Sequence, residues 1–124
     1  MKVVIKILIG LVACIHSYIL WFEMFAWETT GKKVFTSFSN DFFALTKDMA
    51  ANQGLYNGFL AAGLIWTFFI SDINWNKRVS LFFLSCVSIA GIYGACTVQT
   101  KILFTQAIPA IITIILILFR KSNI

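Results

Sequence analysis

Long apolar runs, separated by short polar turns, dominate the sequence. Four runs approach or exceed the roughly 20 residues that a helix needs to cross a bilayer, at about 3–27, 52–71, 79–98 and 101–119. Between the first two, over about 34–50, apolar residues recur every three or four positions. That period is typical of an amphipathic helix. The pattern predicts an all-α polytopic membrane protein, with four transmembrane helices in a bundle and a short interfacial helix between helices 1 and 2.

Composition favours the same class of protein. The chain is 60% hydrophobic and 12% charged, whereas soluble domains are about half apolar and a quarter charged. Its 124 residues leave no room for a second domain, so we expect one transmembrane domain over residues 1–124. The ten lysines and arginines lie singly or in pairs at the ends of apolar runs. This distribution is a topology signal and excludes a nucleic-acid surface.

The cysteines predict no special chemistry. Cys14, Cys86 and Cys96 lie inside apolar runs and form no CxxC pair, so we interpret them as small hydrophobic residues, with no metal site, cofactor or disulfide. Residues 11–14 match a loose lipoprotein cleavage box, but the apolar run continues to Phe22. A cleaved signal ends at its small-residue site, so a spanning helix is the favoured interpretation.

The basic residues set the expected orientation. Four spans place both termini on one side of the membrane. That side carries six basic residues against four on the other, namely Lys2, Lys6, Lys77, Arg78, Arg120 and Lys121 against Lys32, Lys33, Lys47 and Lys101. The excess predicts cytoplasmic termini.

Polar side chains concentrate in the half of the bundle that this orientation places outside. Each unpaired polar group in hydrocarbon costs several kcal/mol, so we expect these groups to face one another around a pocket. The predicted ligand-binding residues are His16, Glu23, Trp27, Asn52, Gln53, Tyr56, Asn57, Tyr93, Gln99 and Gln106. The alternative is a hydrogen-bonded plug that only locks the bundle, with Glu23 and His16 as a satisfied pair.

Small residues predict how the helices pack. Gly54, Gly58 and Ala62 lie four apart, and residues 90–95 form a second run rich in small residues. Small residues at this spacing let helices approach closely in lipid. We therefore expect the second and third spans to pack together. Pro109 lacks an amide hydrogen and predicts a bend in the fourth span.

Four stretches, at residues 23–27, 52–63, 90–94 and 106–110, together resemble domain-of-unknown-function family 1304. The most specific of them is the Asn-Gln-Gly-Leu-Tyr-Asn-Gly-Phe run that begins at Asn52. The resemblance covers essentially the whole chain. It implies a multi-pass protein of the bacterial inner membrane with four helices, and it implies no activity.

Three functions fit these observations. The favoured one is binding or transport of a lipid-like, quinone-like or other small amphiphilic molecule, in which a homodimer would help to build a pathway from so few helices. A second is a membrane-embedded enzyme with Glu23 and His16 as acid and base, helped by Tyr56 or Tyr93. No nucleophile elbow, phosphate loop or nucleotide fingerprint accompanies them. A third is an accessory subunit whose glycine faces bind a partner helix. Membrane lipids are the expected partners in every case.

Overall fold

The computed structural model describes residues 2–120, and this range is helical without a strand. The prediction of an all-α protein is confirmed. Lys121, which contributed to the expected charge asymmetry, lies outside the described residues. A 3₁₀ turn follows the third helix and a π-helical segment precedes the fifth. The helices are α1 (Val3–Phe25), α2 (Thr30–Val34), α3 (Asn40–Trp66), α4 (Ile73–Thr97) and α5 (Ile108–Leu118), with the 3₁₀ turn at Thr67–Phe69 and the π-helical segment at Leu103–Ala107.

The long helices alternate in direction. One cavity is lined by Lys2 beside the start of α1, Ser71 after α3, Ile73 at the start of α4 and Ile117 near the end of α5. These four chain positions therefore meet at one end of the molecule. The first turn of α3 and the last turns of α1 and α4 lie toward the opposite end.

The core is a column of aliphatic side chains between the helices. Its fully buried members include Ile9 of α1, Leu64 of α3, Leu84 and Val87 of α4 and Ala110 of α5. Outside this column the surface is also strongly apolar. The described residues contain two helices, α1 and α4, that are long and apolar enough to cross a membrane, and one shorter apolar helix at Leu103–Leu118.

The interfacial helix expected over residues 34–50 is not a separate element. Most of it belongs to α3, which continues without a break into the predicted second span. The reason is local, because Ala50 and Ala51 at the expected boundary favour helix and no proline interrupts the chain there. The inward residue is Phe43, which is fully buried, whereas Leu45, an apolar residue of the same predicted helix, is 83% exposed.

Helix α4, which is the third predicted span, begins at Ile73 rather than at the expected Val79. The polar pattern of residues 72–78 predicts a turn. Asp72 is instead the N-cap residue, and its carboxylate accepts a hydrogen bond from the backbone N–H of Trp75 at 2.7 Å. Such a cap satisfies one of the otherwise free amides of a first helical turn. The polar residues that follow Asp72 are thus the solvated first turns of α4.

Two glycines of α3, Gly54 and Gly58, pack against α1 rather than against α4. A Cβ atom at Gly54 would lie 2.9 Å from the Cβ of Glu23, and one at Gly58 would collide with the side chain of Leu20. The spacing of small residues predicts a close approach, but it carries no information about which helix makes it.

The small residues of α4 likewise have a different partner. A Cβ atom at Gly91 would lie 2.7 Å from the backbone nitrogen of Ala107, in the π-helical segment. Helices α3 and α4 meet instead where the ring of Phe83 lies over Gly63. Each run of small residues therefore marks a real close contact between helices.

The expected interruption at Pro109 is the π-helical segment itself. The N–H of Ile108 bonds to the carbonyl of Leu103, five residues earlier, in place of the usual i to i−4 bond. Pro109 stands at the second position of α5, directly after Ile108, and has no N–H to donate to a carbonyl of the preceding helical turn. The wider π-helical turn therefore lies just before the proline.

Candidate functional site

The site is built where α1 and α3 approach most closely. Gly54 has no side chain, so the backbone of α3 lies directly against Glu23 and Met24. One turn later, Asn57 Nδ2 donates a hydrogen bond to Glu23 Oε2 at 3.0 Å, and a second to the carbonyl of Gln53 at 3.1 Å. Both side chains are half-buried. The glycine therefore brings a carboxylate and an amide from different helices together.

Glu23 of this pair lines a cavity of about 340 Å³. It lies within the usual size range of small-molecule sites. Carboxylates outnumber cations among its lining side chains, and Trp27 and Phe25 supply aromatic surface. The lining residues are Glu23, Met24, Phe25, Trp27, Glu28, Thr29, Lys47, Asp48 and Ala51.

The charges around this cavity are only partly compensated. Lys47 Nζ lies 3.8 Å from Glu28 Oε2, and both side chains are exposed. Neither Glu23 nor Asp48 forms a salt bridge within residues 2–120. The cavity therefore presents an excess of negative charge, with Glu23 at its inner wall.

Trp27 lines the cavity and belongs to an aromatic cluster. Its indole N–H donates to Thr46 Oγ1 at 3.0 Å, and its ring centroid lies 5.3 Å from that of Phe43 and 5.9 Å from that of Phe22. Phe35 and Phe42 complete the cluster. Since the N–H of Trp27 already has a partner, this residue offers a ligand ring surface rather than a hydrogen bond.

His16 is fully buried and lies deeper along α1. Its Nδ1 donates to the carbonyl of Val12 at 2.9 Å, and its Nε2 has no hydrogen-bond partner within residues 2–120. Glu23 lies about two helical turns away, and no hydrogen bond joins the two side chains. The satisfied Glu23 and His16 pair expected for the plug is therefore absent from the described residues, where Asn57 is the partner of Glu23.

The sequence matches a known protein family over most of its length. The model of the family described as "Protein of unknown function (DUF1304)" matches residues 10–118. The chain belongs to this family. It is 31% identical over 117 residues to Uncharacterized protein YpaA of Lactococcus lactis subsp. lactis (strain IL1403), a match that covers 93% of this chain and 97% of that protein. No solved structure gives a significant match.

Several predicted site residues lie elsewhere in this DUF1304 protein. Tyr56 and Tyr93 are 62% and 71% exposed, and the side chains of Asn52 and Gln53 are exposed on the outer face of α3. Gln99 and Gln106 are half-buried and do not line the cavity. None of these six residues lines the Glu23 cavity, and the expected convergence of polar groups from four helices is not seen among residues 2–120. The packing of Gly54 and Gly58 on α1 turns only Asn57 inward.

Other lining residues of this family member were absent from the sequence prediction. Glu28, Lys47 and Asp48 line the cavity, although they lie in segments interpreted as a connection and an interfacial helix. Helical spacing is the signal that could have identified them. In a helix that continues through residue 50, Asp48 and Ala51 lie on the same face as Lys47 and Gly54. The sequence prediction ended one helix at residue 50 and began the next at residue 52, so it did not place these residues on one face.

Proposed function

We propose that the chain is a multi-pass protein of the bacterial inner membrane, with four spans and cytoplasmic termini, that holds a small amphiphilic molecule in the cavity beside Glu23 and Asn57. The cavity would lie near the outer surface of the membrane. The headgroup of the molecule would contact Glu23, and its apolar part would extend along the aromatic wall toward the lipid.

Support for the membrane location comes from the outer faces of the helices. Val3, Ile7, Phe82 and Ile89 are large apolar residues on the exposed surface of α1 and α4. Monomeric soluble proteins rarely expose apolar patches above a few hundred Å². With 23 residues, α1 is about 35 Å long at 1.5 Å per residue, which exceeds the thickness of a hydrocarbon core.

Support for the orientation comes from the charged ends. Lys2, Lys6, Lys77 and Arg120 gather at the end of the molecule where α1 begins. An excess of Lys and Arg favours the cytoplasmic side. Glu23 and its cavity lie near the other end of α1, and in the proposed orientation they would face the outer side.

The observation that carries the binding proposal is that Glu23, which lines the cavity, accepts a hydrogen bond from Asn57. The bond fixes the carboxylate, while the second carboxylate oxygen remains available as an acceptor. Excess negative charge and an aromatic surface favour a molecule with a hydrogen-bond-donating or cationic headgroup and an apolar body.

The geometry favours binding over the two alternatives. An acid-base enzyme would need Glu23 and His16 within reach of the same reacting atoms, yet they lie about two helical turns apart on one helix. A subunit that used its glycine faces for a partner would need those faces free. Gly54 and Gly91 are instead covered by α1 and by the π-helical segment.

The test is mass spectrometry of the protein released from mild detergent, compared with the Glu23→Gln/Asn57→Leu double variant. The wild-type protein should carry a stoichiometric small amphiphile, and the double variant should lose it. Asp41→Asn is the matched control, because Asp41 is an exposed carboxylate on α3 outside the cavity. A folded wild-type protein without a bound molecule, or equal occupancy in all three proteins, would contradict the proposal.

A further inference from the structure

A second cavity lies at the opposite end of the molecule from Glu23. Its volume is about 560 Å³, and it opens where α1 and α4 begin and where α3 and α5 end. Four basic side chains line it, namely Lys2, Lys6, Lys77 and Arg120. No acidic residue is among its lining residues in the part of the chain from 2 to 120. We call it the basic cavity.

The nearest acidic residue in sequence, Asp72, does not line the basic cavity and forms no salt bridge with these cations within residues 2–120. It lies between lining residues Ser71 and Ile73, and its carboxylate accepts a hydrogen bond from the backbone N–H of Trp75. The first turn of α1 has neither a side-chain cap nor an acidic residue. Its free amides add to the positive potential at this end.

The walls of the basic cavity are amphiphilic. Ser71 and Asn74 add polar groups beside the cations, while Ile5, Phe68 and Ile117 provide apolar surface. A small soluble anion would use only the polar part of such a site. A molecule that carries a negative headgroup on an apolar chain would use both parts.

We propose that the basic cavity binds the phosphate of an anionic glycerophospholipid, with the cationic side chains around the phosphate and the start of an acyl chain against the apolar wall. This inference concerns a site separate from the Glu23 cavity. Phosphate recognition by clustered Lys and Arg is charge-assisted and strong. Basic pockets between membrane helices on the cytoplasmic side are suited to anionic lipid headgroups.

The convergence of charges on the cavity distinguishes this site from a general topology signal. Lys6 comes from α1, Lys77 from α4 and Arg120 from the chain after α5, yet all three line the same space. Arg78, next to Lys77, does not line it and lies over the ring of Trp75 at 5.8 Å. Basic residues placed only for orientation need not share one cavity.

The test is native mass spectrometry of the purified protein in non-ionic detergent, offered equal amounts of phosphatidylglycerol and phosphatidylcholine with identical acyl chains. The test variant is Lys6→Gln/Lys77→Gln/Arg120→Gln. The control is Lys32→Gln/Lys33→Gln/Arg78→Gln, which removes the same charge at positions outside the cavity. The wild type and the control should prefer phosphatidylglycerol. The test variant should bind it at least about tenfold more weakly.

Three outcomes would overturn the inference. The first is the absence of a preference in the wild type, and the second is an equal loss in the test and control variants. The third is displacement of the lipid by millimolar inorganic phosphate, which would identify a site for the free anion. If the triple variant fails to fold, Lys77→Gln against Arg78→Gln gives the same comparison. Glu23→Gln should leave this preference unchanged, so failure here is distinguishable from failure of the proposed function.

Discussion

Asn57 on α3 donates a hydrogen bond to the carboxylate of Glu23 on α1 at 3.0 Å, one turn from the point where Gly54 lets the two helices touch. The two features depend on each other. Without the glycine the helices would stand too far apart for the amide to reach, and without the amide a half-buried carboxylate would have no donor from the neighbouring helix.

The Asn57→Leu variant should be less stable than the wild type by about 1–3 kcal/mol, because the carboxylate of Glu23 loses its donor while it stays half-buried. The free energy of unfolding in mixed micelles measures this. In the Glu23→Gln/Asn57→Leu double variant the charge is gone, so its destabilisation should be smaller than the sum of the two single effects. Strict additivity would show that the hydrogen bond contributes nothing.

Substitution Gly54→Ala should destabilise the protein by about 1–3 kcal/mol through overpacking, since its methyl group would lie 2.9 Å from Glu23 Cβ and Met24 Cγ. Gly10→Ala is the matched control. Its methyl group would meet only the ring of Phe68, at an ordinary 3.7 Å, and alanine favours helix by up to about 1 kcal/mol over glycine. Thermal unfolding should therefore move in opposite directions for the two variants. A similar shift in both would argue against the α1 and α3 contact.

The His16→Leu variant should fold and have an unchanged or higher melting temperature. The substitution removes Nε2, a buried atom without a hydrogen-bond partner within residues 2–120, and places an apolar side chain in the core. Replacing an unsatisfied polar group by an apolar one of similar size is close to neutral or stabilising. A large fall in the melting temperature would mean that Nε2 has a partner that is essential to the fold.

Trp27→Phe should lower the free energy of unfolding by about 1 kcal/mol, because the aromatic packing is largely kept and the hydrogen bond to Thr46 is lost. Thr46→Val removes the same bond, together with the bond from Thr46 Oγ1 to the carbonyl of Phe42. The double variant should therefore lose less stability than the sum of the two single variants. Fully additive losses would show that the two side chains act independently.

The long apolar helices and the irregular turn before α5 could be predicted from the sequence because they depend on local chemistry. Apolar composition identified α1, and the lack of an N–H in Pro109 predicted the irregular turn before α5. The length of α3 could not be predicted in the same way. An amphipathic helix and a spanning helix share one period, so the pattern around Ala50 contains no boundary signal.

The site was predicted only in part, for a geometric reason. Sequence position gives the depth of a residue along a helix, and that was enough to select Glu23 and Asn57. The direction of a side chain around the helix depends on which neighbour the glycines face, which the sequence does not specify. Tyr93 was therefore expected inside and is exposed, whereas Asp48 was left out and lines the cavity.

The most direct test of the binding proposal is site-specific protection from thiol labelling, in a chain whose three native cysteines are replaced by alanine. Ala51→Cys places a thiol in the wall of the cavity, and Leu45→Cys places one on the exposed face of the same helix. With the co-purified amphiphile present, labelling at position 51 should be slow and should speed up after delipidation, while labelling at position 45 stays constant. Equal rates at position 51 before and after delipidation would contradict the account.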